Sequence, residues 1–159
     1  MATITSTLKS ATGNSQRGRN PYMVENTIDL TAQAISSTAG DVVQAITVPA
    51  NTKILAAGFQ VVNSATMNSG TNATATLGTA DADEFLPAFD IDGAADGAYA
   101  PSVTVSADVV LSTADTLDLT FAGDGATYTA GKIRVYAVMM DVSEIGDTSA
   151  DEVDRDTLA

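Results

Sequence analysis

The residues best equipped for chemistry in this 159-residue chain are carboxylates gathered in short stretches: Asp81, Asp83 and Glu84; Asp90, Asp92 and Asp96; and Asp124. Oxygen ligands at such spacings suit Ca²⁺, and in FDIDGAADG a glycine follows Asp92 where a tight loop needs one. Asp90, Asp92 and Asp96 are therefore the candidate Ca²⁺ ligands. The EF-hand ligand pattern and its closing Glu are absent, and short Asp-Gly stretches commonly serve only as turns. Paired carboxylates also suit glycoside hydrolysis, but such sites sit in aromatic-lined clefts, and this chain has four Phe, four Tyr and no Trp.

Other catalytic arrangements lack their parts. The chain contains no His and no Cys, so the common base near neutral pH is missing, as are the usual ligands of zinc, haem and iron–sulfur clusters. Neither Lys53 nor Lys132 lies in a nucleophile motif. Gly123-Asp124-Gly125 does not continue into a phosphate-binding fingerprint, and its Asp would repel phosphate. The expectation is a non-enzymatic protein without cofactors.

Charge divides the chain into three parts. Residues 1–24 carry Lys9, Arg17 and Arg19 as their only charges, residues 25–140 carry −10, and residues 141–159 carry −6, for a net charge of −13. An acidic surface of this kind repels nucleic acid and anionic membranes. No stretch approaches the roughly 18 apolar residues of a membrane span, and the first residues lack the apolar core of a signal peptide, so synthesis in a cytoplasm is expected. Short-range complementarity makes Lys9, Arg17 and Arg19 candidate contacts to an acidic neighbour, and Asp151, Glu152, Asp154 and Asp156 candidate partners for a neighbouring arm.

The elements that must carry these residues read as strands. Ala and Thr together fill nearly a third of the chain, and small and β-branched side chains suit a pleated surface. Strands are expected over 41–48, 53–63, 73–77, 102–111, 116–121 and 132–142, with further ones near 24–32 and 85–91. Leu117, Leu119 and Phe121 alternate with Asp118 and Thr120, and Ile133, Val135, Ala137 and Met139 share one face of the last strand. Pro87 confines its strand to an edge. Residues 68–72, 93–97 and 123–131 read as loops, and Ser149 with Glu152 as a weak helix start. The sum is all-β: one β-sandwich of jelly-roll type over 26–142, a basic extended arm over 1–25 and an acidic tail over 143–159.

The run ITVPANTKILAAGFQVVNSAT (46–66), the Ala/Thr/Asp-rich middle and LDLTFAGDGATYTAGKIRVYAVMMDVSE (117–144) resemble small virion proteins of tailed bacteriophages, notably marine ones. That resemblance implies a capsid decoration, or cement, protein on the outer surface of the head. Its partners would be the major capsid protein and further copies of itself, in a homo-oligomer for which a trimer is the favoured form. No catalytic residues are carried over. The alternatives are a tail, fibre or spike component that binds a host receptor, and a carbohydrate-binding module.

Overall fold

The computed structural model describes residues 20–32, 35–36, 40–100, 109–124 and 127–142, together with the backbone of strand β1, Thr3–Ser10. The remaining strands are β2 (Tyr22–Asp29), β3 (Val42–Val48), β4 (Thr52–Met67), β5 (Ala73–Gly78), β6 (Leu86–Asp90), β7 (Val110–Leu111), β8 (Asp115–Gly123) and β9 (Tyr128–Asp141). They form two sheets, ordered β1-β3-β8-β5-β6 and β2-β9-β4-β7. Among the described residues no helix is long and apolar enough to cross a membrane.

The pairing has a simple logic. β2 pairs with β9, β3 with β8, β4 with β7 and β5 with β6, all antiparallel. That nesting is one long hairpin, with β2–β5 as one arm and β6–β9 as the other. Rolling it up joins β4 to β9 and β5 to β8, which sends alternate pairs to opposite sheets. The result is the jelly roll expected from the sequence.

Alternation places the core between the sheets. Leu117, Leu119 and Phe121 of β8 face Ile133, Val135, Ala137 and Met139 of β9, and all seven are buried. In β3 a bulge between Gln44 and Ile46 lets Ala45 and Ile46 both turn inward, because one extra residue resets the period of two. Edge-on ring contacts fill the interior: Phe59 with Phe89 at 5.8 Å, and Phe121 with Tyr128 at 5.7 Å. The buried Asn26 of β2 donates from Nδ2 to the Ala45 carbonyl at 2.9 Å, which ties one sheet to the other.

Three differences from the expected elements have physical causes. Residues 3–10, expected only as part of an extended arm, run parallel to β3 at the edge of the five-stranded sheet. β4 continues past Asn63 to Met67 by absorbing register shifts against β9. β9 begins at Tyr128, inside the expected 123–131 loop, because Tyr128 is buried against Phe121. Pro87 does sit on an edge strand, β6. Of the strand expected over 102–111, Val110–Leu111 is strand, and residues 101–108 lie outside the described residues, as does the helix start at Ser149.

Candidate functional site: the outer face of the four-stranded sheet

The sequence-derived contact residues are distributed unevenly. Lys9 lies on β1, in register with Ile46. Arg17, Arg19, Asp151, Glu152, Asp154 and Asp156 lie outside the described residues.

The candidate Ca²⁺ ligands have other employment. Asp90 Oδ1 accepts from the Gly93 amide at 2.7 Å, Asp92 Oδ1 from the Ala73 amide at 2.8 Å, and Asp96 Oδ1 from the Ser64 amide at 2.6 Å. Among the described residues no three carboxylates converge on one point. The Gly93 hydrogen bond holds the Asp90 carboxyl below its usual range.

These bonds show what the acidic loop does. Residues 91–100 run along the edge of β4 that β7 leaves open. Val61 donates to the Ala98 carbonyl at 2.8 Å, Gly97 to the Val61 carbonyl at 2.7 Å, and Ala100 to the Phe59 carbonyl at 3.0 Å. Ile91 donates to Ala73 of one sheet and accepts from Ala65 of the other. The loop is a clasp that covers a sheet edge, the usual liability of a β protein.

The clasp also delivers Tyr99 to the outer face of the four-stranded sheet, where it bridges Gln60. Met23, Glu25, Gln60, Tyr99, Arg134 and Tyr136 line a shallow groove there of about 170 Å³. Among the described residues Met23 and Tyr99 are the most exposed large apolar side chains, at 63% and 61%. Tyr99 meets Tyr136 edge-on at 6.3 Å. Gln60 is held from both ends: Nε2 donates to the Gly97 carbonyl at 3.1 Å, and Oε1 accepts from Arg134 Nη1 at 3.5 Å.

Charge is also one-sided. Register places Lys53, Lys132 and Arg134 on this outer face, beside Glu25 and Asp29. Three cations against two carboxylates make it a slightly positive face on a chain of −13. Lys132 Nζ lies 3.5 Å from Asp29 Oδ2. Bonds from the Thr31 hydroxyl and amide, chiefly the hydroxyl, lower the Asp29 pKa.

The opposite outer face differs. On β8, Asp118 stands half-buried between Gln44 and Gly78, and burial raises its pKa. Its Oδ1 has no hydrogen-bond partner among the described residues.

No signal in the sequence marks the groove. Its residues come from β2, β4, the clasp and β9, and only the register between strands brings them together.

No protein-family model and no curated protein sequence matches the chain. Solved structures do. The chain is similar to one in the cyanophage Pam1 capsid asymmetric unit (TM-score 0.62, 20% identity, covering 82% of this chain and 91% of that one). It is also similar to one in the capsid of Ralstonia phage GP4 (0.63, 17%, 88% and 97%). A third similar chain belongs to the acidic stable capsid structure of Helicobacter pylori bacteriophage KHP30 (0.51, 11%, 76% and 86%). At these identities the likeness establishes the shared fold, and it extends over nearly the whole of each neighbouring chain.

Proposed function

We propose that this protein is a structural component of a bacteriophage virion that decorates the outside of the capsid and stabilises it. The observation that carries the reading is the likeness, over 76–88% of the chain, to proteins in three phage capsid structures. A fold alone hosts many functions, but here the chemistry agrees with the company. The acidic loop residues are committed to backbone donors, and four of the six residues lining the exposed groove are Met, Tyr or Arg, types enriched at protein interfaces.

On this reading the partners are the major capsid protein and neighbouring copies, with a trimer favoured. Lys9, Arg17 and Arg19 reach an adjacent subunit, and Asp151, Glu152, Asp154 and Asp156 meet such an arm. Repetition over a symmetric lattice makes weak single contacts sufficient through effective concentration. The test uses heads assembled without the protein. They should open at a lower temperature than complete heads, and purified protein added back should restore the difference. Heads that are equally stable without it, and that fail to bind it, contradict the proposal.

A further inference from the structure

The β5–β6 loop and the outer face of the four-stranded sheet complement one another, and we infer that they meet between copies of this chain. In this head-to-tail contact the loop of one copy lies against the Arg134–Tyr136 face of the next. The inference gives the decoration reading a partner for the groove.

The loop is rigid and acidic. Phe85 is buried at its end and donates its amide to the Leu77 carbonyl at 3.0 Å. Thr79 Oγ1 donates to Glu84 Oε2 at 2.6 Å. The loop backbone folds down on Gly78 so closely that a Cβ there would overlap the Asp81 carbonyl oxygen. What the loop holds outward is Asp81 and Asp83, both exposed, neither carboxylate with a hydrogen bond or ion pair among the described residues.

The receiving face offers the complement. Lys53, Lys132 and Arg134 are all on it, Lys132 in an ion pair with Asp29. Arg134 uses Nη1 on Gln60, which leaves other guanidinium donors for a carboxylate. Glu25 stands on the β2 side of the groove and the cations on β4 and β9, so an acidic loop fits from the β4–β9 side. Met23 and Tyr99 supply apolar anchors, and Gln60 is already fixed, so little side-chain freedom is lost on contact.

The geometry of charge selects this contact over a face-to-face pair. A twofold contact through the same face would bring Arg134 toward its own copy as well as toward Glu25, whereas a head-to-tail contact sets it against the loop carboxylates alone, and such contacts close into a ring where the rotation between copies allows it.

The test is the mass in solution of the full chain, by light scattering over a wide concentration range, at low and high salt. The wild type should be oligomeric, and more weakly so at high salt. R134E and the double variant D81K/D83K should each weaken association by about tenfold or more, with unchanged unfolding temperatures. The chain carrying all three substitutions should regain association to within a few-fold. R134Q replaces R134E if the reversal disturbs folding. A wild type that stays monomeric overturns the contact, as do oligomers indifferent to both variants or a combined variant that does not recover. A monomer that still coats heads would assign the groove to the shell, and a monomer whose tyrosine fluorescence responds to oligosaccharides would assign it to sugars. The first of these results leaves the decoration reading standing.

Discussion

Tyr136 lies across Gly58: a Cβ placed on Gly58 would fall 2.7 Å from the Tyr136 hydroxyl oxygen and 3.0 Å from Cζ. The two residues are directly paired between β4 and β9. The aromatic ring covers a position where a side chain on the neighbouring strand would stand, which keeps Tyr136 low on the sheet and lets Tyr99 meet its edge. Aromatic cover of a strand glycine is a known stabilising device.

Gly58→Ala should therefore displace the tip of Tyr136 and leave the fold intact. The expected cost is about 1 kcal/mol or less, because the obstructing atom is the end of a side chain able to swing away. The effect on the groove should be larger: the near-UV circular dichroism of the tyrosines should change, and self-association should weaken. An unchanged tyrosine signal would mean that the ring does not depend on Gly58.

The clasp predicts a different outcome for the acidic loop. Asp92→Ala leaves the Ala73 amide without its carboxylate partner, and Asp96→Ala does the same to the Ser64 amide. The part-buried Asp92 bond should cost about 1.5–3 kcal/mol, the range for a hydrogen bond to a charged group, and the exposed Asp96 bond less, because water replaces it. In a domain of this size that is roughly 2–4 °C of unfolding temperature per kcal/mol. Added Ca²⁺ should not replace either carboxylate. A Ca²⁺-dependent rise in melting temperature that is abolished by Asp92→Ala would instead restore the metal-site reading.

Asp118 gives a pH dependence with a definite sign. Burial raises its folded pKa above the ordinary value of 3.8, so in the interval between the two values the folded state holds more proton than the unfolded state. Stability from this residue is therefore greatest at acid pH and falls as pH rises through the folded value. Asp118→Asn should raise the melting temperature at pH 7, with the gain shrinking to nothing below about pH 4. Asp29 and Asp90 act oppositely: their hydrogen bonds lower the folded pKa, so their contribution is present at neutral pH and lost as pH falls through it. An Asp118→Asn gain that persists unchanged into acid would show that packing, not charge, is responsible.

How much of this was legible in the sequence depends on whether the cause was local. The two-residue alternation of Leu117, Leu119 and Phe121, and of Ile133 to Met139, located the core faces of β8 and β9, since one face of each strand is buried. Pro87 marked an edge because it cannot donate to a ladder. β1 was not legible as a strand: TITSTLKS is mostly polar, and its strand character comes from pairing with β3. The start of β9 was hidden by the neighbouring glycines, although Tyr128 is what anchors it. The groove was the least legible feature, because Gln60 and Tyr99 meet only through the clasp.

Pairing of β1 with β3 sets what removal of residues 1–20 should do. The deletion uncovers one edge of β3, while β3 keeps β8 on its other side. The body should stay folded with a lower unfolding temperature, and it should bind heads less tightly. Chemical unfolding and co-sedimentation with heads read the two effects separately. Unchanged binding would remove the arm from the attachment mechanism.

The most direct measurement is antibody labelling of intact phage particles against the β-sandwich, viewed by electron microscopy. Decoration predicts label spread evenly over the head at many copies per particle. Label confined to one vertex or to the tail, or particles without label, would contradict it.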